Sequence, residues 1–235
     1  MYFSFRGTTN TEMNVRIKQI AYPSKPTERH EFIDIPGRQE PLLNLLDGFT
    51  ASSISATLVI TNQTDISTVF QWISGTGQLF FSDQPDRYWN ASACRIVTVK
   101  REGAANTIRE LTVAFDLLPF AYAINNSPVT LSGTPSYFKT IGTYWSEPLI
   151  ELTGSGDISV NVNGAVLTVP AVSGTIYIDV PAKKVYKLTE GYKTLLTSSG
   201  WIEDMILVPD AERYNVISWE GDVSAVKLTK NERWL

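Results

Sequence analysis

The stretch FFSDQPDRYWNA, residues 80–91, sets a polar run, Ser82-Asp83-Gln84-Pro85-Asp86-Arg87, between two pairs of aromatic residues. Two carboxylates and an arginine so close together can belong to a site of chemistry or to a corner between strands. Local physics favours the corner. Leu79-Phe80-Phe81 reads as the end of one strand and Tyr88-Trp89 as the start of the next. Ser82 and Asp83 are expected to hydrogen-bond the turn backbone, and Pro85 presets φ for the bend. Asp86 and Arg87 are expected to pair locally, which contributes only about 0–1 kcal/mol if exposed.

The neighbouring segments read as strands. Ile54, Ala56, Leu58 and Ile60 alternate with Ser53, Ser55, Thr57 and Val59, and Leu111, Val113, Phe115 and Leu117 do the same. That period of two marks strands with one apolar face. Ala93 to Arg101 is expected to be a further strand, and Phe32-Ile33-Asp34-Ile35 to run into a type II turn at Pro36-Gly37. One helix is expected near 64–74. Its apolar residues Ile66, Val69, Phe70 and Ile73 share one face, Thr64 suits the N-cap, Asp65 suits the positive end of the dipole, and Gly75 suits the close. Trp72 falls off that stripe. It reads as a partly exposed flank or as a subunit contact, since tryptophan is enriched at interfaces.

After residue 125 the texture changes to a Ser/Thr/Gly/Pro-rich stretch, read as a connection between domains. Beyond it the pattern is β only. Asn163-Gly164 is a strong hairpin turn signal. A second hairpin is expected across Pro181-Ala182-Lys183-Lys184, and a third across Glu220-Gly221-Asp222. Short strands at such spacing suggest a β-sandwich. The organisation read from the sequence is a first domain over 1–130, a linker over 131–147 and a sandwich over 148–235. For Arg233-Trp234-Leu235 two destinations stay open, a return to the first domain or a free end.

Bulk composition narrows the function classes. The chain has 235 residues, 43% hydrophobic and 19% charged, with a net charge of −4. That is globular, and long enough to bury roughly 70% of its unfolded surface without staples. No Lys/Arg run suggests a nucleic-acid groove. The single cysteine, Cys94, excludes an internal disulfide framework and reads as a small apolar strand residue. The single histidine, His30, reads as a polar surface residue, with no partners at metal-ligand spacing. The opening residues lack a signal-peptide layout and no apolar run reaches about 18 residues, so folding in a reducing cytoplasm without membrane insertion is expected.

Catalytic constellations are not apparent. No GxGxxG, Walker loop, GxSxG, HExxH or CxxC occurs. Gly154-Ser155-Gly156-Asp157 reads as a turn, since no helix follows to bind a phosphate. Glu203 and Asp204 are adjacent, so in a strand they would face opposite ways. The expectation is a protein that is not an enzyme, with no cofactor and no metal.

Several of these segments, taken together, resemble the distal tail proteins (Dit) of phages with long non-contractile tails. Residues 80–91 resemble that family's Phe-Ser-Asp-x-Pro-x-Arg-Tyr motif, Asp34-Ile35-Pro36-Gly37-Arg38 its Val-Pro-Gly-Arg turn, and Phe115 to Tyr122 its Phe-x-x-x-Pro-x-x-Tyr close. Phe5-Arg6-Gly7 and Met13 are similar to its opening, and Pro148 to Gly154 and Ile176 to Asp179 to its sandwich strands. The resemblance implies a mainly β protein with an N-terminal belt domain and a C-terminal galectin-like β-sandwich. It implies a homo-hexameric ring at the tail tip of the virion. The implied partners are the tail tube protein, a tail-associated protein and receptor-binding or baseplate proteins. On this reading Trp72, Tyr88 and Trp89 are interface anchors, Asp83, Asp86 and Arg87 set the register between subunits, and Pro85, Gly37 and Arg38 belong to the belt motifs. Two other readings stand beside it: a host cell-wall saccharide-binding module in the sandwich, and a cell-wall hydrolase. Against the first, Trp201 and Trp219 are not flanked by the His, Asn and Arg of a galectin sugar platform.

Overall fold

A computed structural model describes residues 2–60, 65–102, 108–209 and 213–235. The chain forms two compact units, Met1–Ile124 together with Leu235, and Asn125–Trp234. Both are β-rich, as expected from the alternating apolar pattern.

The first unit holds β1 (Phe3–Phe5), β2 (Thr8–Thr9), β3 (Val15–Ile20), β4 (Glu28–Ile33), β5 (Leu42–Phe49), β6 (Ser52–Ile60), α1 (Ile66–Trp72), β7 (Gly75–Phe81), β8 (Arg87–Glu102) and β9 (Ile108–Ala123). One antiparallel sheet runs in the order β2-β1-β7-β8-β9-β6-β3. The alternation of β6 is realised as read: Ile54, Ala56, Leu58 and Ile60 are buried, and they pair across to Phe115, Val113, Leu111 and Arg109 of β9. Cys94 is buried in β8, and desolvation pushes its thiol up to about 12. The helix is shorter than read. Thr64 lies outside the described residues, and the cap is Asp65, whose carboxylate accepts from Ser67 N at 2.9 Å and from the Thr68 hydroxyl at 2.9 Å. The Ser67 N–H, chiefly, holds that carboxyl below its usual range.

Strands β4 and β5 stand apart as a two-stranded hairpin, here called the arm. Its tip carries the expected turn. Arg38 N donates to Ile35 O at 3.0 Å around Pro36 and Gly37, and Gly37 takes φ +88°. Proline at the first central position and a positive-φ glycine at the second make this a type II turn.

The second unit holds β10 (Val129–Leu131), β11 (Ser136–Phe138), β12 (Leu149–Val162), β13 (Ala165–Asp179), β14 (Lys184–Thr189), β15 (Tyr192–Leu195), β16 (Ser199–Gly200) and β17 (Asn215–Thr229). Its sheet order is β10-β17-β12-β13-β14-β15, with β11 also on β17 and β16 also on β13. The hairpins at Asn163-Gly164 and Pro181–Lys184 form as read. The strands are long, and both halves of β12 feed one core: Ile150 and Leu152 before the bulge, Ile158, Val160 and Val162 after it. A sheet whose two halves share one core is folded over on itself, which is how it builds a sandwich.

Two expectations are corrected. The third hairpin does not exist, because residues 215–229 are one continuous strand paired along β12. Gly221, read as a turn glycine, sits at φ +107° inside that strand, where a Cβ would stand 2.6 Å from the Asp157 carbonyl oxygen. It serves a bend in the sheet, the other use of a strand glycine. The stretch 131–147, read as a linker, carries β11 and lines the β17 edge. Thr134 Oγ1 accepts from Trp219 N at 3.0 Å, and Ser146 exchanges backbone hydrogen bonds with Leu207 at 2.9 and 2.8 Å. Hydroxyl-rich composition here satisfies strand backbone instead of marking a solvated tether.

Gly221→Ala is expected to destabilise the protein by more than about 1 kcal/mol, since it adds left-handed backbone strain to a steric clash. Denaturant unfolding followed by tryptophan fluorescence checks this.

Candidate assembly surface

The polar run of residues 82–87 is a tight connection between β7 and β8. Gln84 N donates to Phe81 O at 3.0 Å and Arg87 N to Gln84 O at 3.4 Å. The flanking aromatics pair across it, Phe80 with Tyr88 and Leu79 with Trp89. Ser82 and Asp83 do not spend their side chains on the turn backbone. Ser82 Oγ accepts from Tyr2 N at 2.9 Å while Ser82 N donates to Tyr2 O at 3.0 Å, which ties the turn to the start of the chain. Asp83 accepts from the Tyr22 hydroxyl, a bond that raises the phenol's pKa and fastens the segment between β3 and β4. Asp86 and Arg87 form a two-point pair, Nε to Oδ1 at 3.0 Å and Nη2 to Oδ2 at 2.8 Å. The hydrogen bond from Arg87 holds the Asp86 carboxyl below the usual range.

The aromatic anchors proposed from the sequence are placed differently from one another. Trp72 is only 7% exposed, so it is neither a flank nor an open contact. Its ring stacks on Phe3 at 5.5 Å and its Nε1 donates to Phe5 O at 2.9 Å. The helical stripe turns further than read because α1 ends at Trp72, and Phe70 faces solvent in its place. Trp89 is 8% exposed, edge-on to Phe81 at 5.5 Å. Tyr88 is half-buried beside Tyr122. Asp83, Pro85 and Asp86 remain exposed with Arg87 half-buried beside them, whereas Gly37 and Arg38 lie on a different element, at the tip of the arm.

The arm itself was not read from the sequence as a surface of interest. Phe32 is 63% exposed, Leu43 51% and Leu45 66%, and Ile33, Leu42 and Leu46 are also open. His30 lies among them, its ring edge-on to Phe32 at 5.2 Å. The signal was there: Leu42-Leu43-Asn44-Leu45-Leu46 puts leucine on both faces of one strand, a pattern that belongs to strands covered on both sides. Its root is anchored by Thr50 N donating to Thr27 O at 2.9 Å and by Phe49 edge-on to Phe120 at 5.6 Å.

In the second unit a cleft of about 600 Å³ is lined by Asn161, Asn163, Asp204, Arg213 and Tyr214 among others. Its polar character is partly committed to the fold. Asn163 Nδ2 donates to Ile206 O and to Asn215 Oδ1, both at 2.8 Å, and its Oδ1 accepts from Val216 N at 2.8 Å. Trp201 is exposed, but it is not among the residues lining this cleft. Among the described residues no group of three or more His, Cys, Asp or Glu is placed to hold a metal ion.

Comparison with solved structures places this architecture. The crystal structure of the SPP1 Dit (gp 19.1) protein superposes with a TM-score of 0.71, covering 100% of this chain and 99% of that one, at 11% sequence identity. The chain has the Dit fold. No protein-family model and no curated protein matches it. At that identity it is the fold that is shared, and the Dit fold here includes both units over the full length.

Trp72→Ala is expected to cost about 3–5 kcal/mol, as befits a large side chain removed from a core, measured by chemical denaturation. For Asp86→Asn the expected loss at neutral pH is under about 1 kcal/mol, because the pair is partly exposed and screened. The sign of its pH dependence follows from the lowered pKa. The pair's contribution is complete above the ordinary carboxylate value of about 3.9 and fades as pH falls through the lower folded value. Unfolding curves across an acid series should show the gap between wild type and D86N closing on acidification.

Proposed function

We propose that this chain is a structural protein of a long non-contractile phage tail, and that it self-associates into the ring at the tail tip. The reading is carried by the fold likeness over the whole chain to a protein described as a paradigm of hub adsorption apparatus in Gram-positive infecting phages. The arm supports it independently. A two-stranded hairpin is at best marginally stable alone in water, and one with leucine and phenylalanine open on its surface needs a covering partner. A ring of identical subunits provides such cover at every position.

On this reading the first unit makes the belt of a homo-hexamer, and the tail tube protein meets the ring on one side. Tail-associated and receptor-binding or baseplate proteins meet it on the other, with the second unit as their platform. The protein is built in the host cytoplasm and works as a virion component, by assembly and without turnover. The exposed turn of Asp83, Pro85, Asp86 and Arg87 then lies near a subunit boundary, where charges contribute specificity more than affinity.

The solution mass from light scattering after size exclusion tests this. Six times 26.1 kDa, with a central channel in negative-stain images, is the expected result. A species that stays at 26.1 kDa at every concentration would sink self-assembly.

A further inference from the structure

The cleft of the second unit has a rigid floor, held by two asparagines. Asn163 stands at φ +52° in the turn between β12 and β13, and its carboxamide bonds Ile206, Asn215 and Val216. Asn215 is fully buried; its Oδ1 also accepts from Val208 N at 2.8 Å, and its Nδ2 donates to Val208 O at 3.1 Å. The two carboxamides tie the turn, the start of β17 and the segment 206–208 into one piece. A site built on such a base is preorganised, since no backbone has to be ordered when a ligand arrives.

The other polar groups of the cleft are not spent on the fold. Asn161 and Ser218 stand opposite each other on the β12–β17 ladder, and their neighbours Val162 and Ile217 are fully buried. Strand alternation therefore turns Asn161 and Ser218 away from the core. Asn161 Oδ1 accepts from Gly164 N at 2.8 Å, which leaves its amide N–H groups available. Asp204, at the end of the short turn Ile202–Asp204, and Arg213 line the same cleft, and both are exposed. Among the described residues, the Asp204 carboxylate, the Arg213 guanidinium and the Ser218 hydroxyl have no hydrogen-bond or ion-pair partner. Tyr214 completes the lining. Lys139 Nζ stands over its ring at 5.0 Å, which helps to hold it, yet the tyrosine is 57% exposed. Tyr137 pairs with Val216 on β17, so a second exposed phenol lies on the same outward face.

Carboxylate, guanidinium and carboxamide are planar groups that can each engage two neighbouring hydroxyls at once. An open phenol ring adds an apolar face with a polar edge. One carboxylate against one guanidinium leaves the lining without net charge, which favours an uncharged polyol over a phosphate or an ammonium ligand. We propose that this cleft binds an uncharged saccharide, with Asp204, Arg213 and Asn161 hydrogen-bonding its hydroxyls and Tyr214 packed against a sugar face. Trp201, the aromatic platform considered from the sequence, is not part of it. The site is complete within one copy of the chain, so it neither requires self-assembly nor is required by it.

Saturation-transfer NMR of the full chain tests the site, with uncharged oligosaccharides of glucose, galactose, rhamnose and N-acetylglucosamine as probes and glycerol 3-phosphate beside them. Saturable transfer to at least one of the oligosaccharides is expected. Asp204→Asn and Arg213→Gln should each weaken it about tenfold or more, the scale of a lost hydrogen bond to a charged group. Tyr192→Ala, on β15 and outside the cleft, should leave it unchanged. Asp204, Arg213 and Tyr192 are exposed, and circular dichroism with thermal melting verifies the folding of each variant. On saturation of the wild type, nitrogen-15 amide shifts should change at Asn161, Gly164 and Ser218, a readout that needs no variant. A wild type that takes up none of the oligosaccharides overturns the proposal, as does binding that both cleft variants retain. Binding lost in Trp201→Ala but kept in Arg213→Gln would move the sugar to the exposed tryptophan and overturn it too. Binding of glycerol 3-phosphate alone, lost in Arg213→Gln and indifferent to Asp204→Asn, would make the cleft an anion site instead.

Discussion

Strands β8 and β9, sixteen residues each, run antiparallel down the middle of the first unit, and the ladder between them positions everything else in it. On one side β8 carries β7 and, beyond it, the strand that opens the chain. On the other, β9 carries β6 and the edge strand β3. Phe115, near the middle of β9, meets both Phe3 and Phe5 edge-on, at 6.0 and 5.4 Å, so the same ladder sets the aromatic core. Trp72 then closes that core from α1 by stacking on Phe3.

A ladder this long separates its two ends, and the separation is what gives the unit a direction. At one end it roots an apolar, acidic hairpin, and at the other it collects cations across three strands. The cations are partly paired within their own unit, Lys18 with Glu110, whereas the apolar surface of the arm is left open. The apolar arm exposes area that water penalises at roughly 25 cal/mol per Å².

The turn at 82–86 belongs to the same logic at smaller scale. Its side chains reach outward to Tyr2 and Tyr22 more than to their own backbone, so it pins the start of the chain and the segment leading to the arm against the sheet. Its Asp86–Arg87 pair is a local stabiliser of the corner. In the second unit the equivalent constraint is the bend in β12, β13 and β17, where glycines and bulges let one sheet wrap a single core.

The period-two alternation of β6 and β9 is enough by itself to determine their strand character and their buried faces, because a pleated strand can turn only every second residue inward. Pro36-Gly37 and Asn163-Gly164 determine their turns for an equally local reason, since only certain residues accept the required φ. The tertiary structure decided what local pattern could not. Trp72 became core because a helix end is fixed by what it packs on. Gly221 became a bend because β12 runs past it, and the hydroxyl-rich stretch before β12 became the cover of a strand edge. The leucine pairs of β5 told of cover on both faces, but only the tertiary structure showed that its own unit does not provide it. Burial depends on which distant segments arrive, and a sequence read locally carries no record of that.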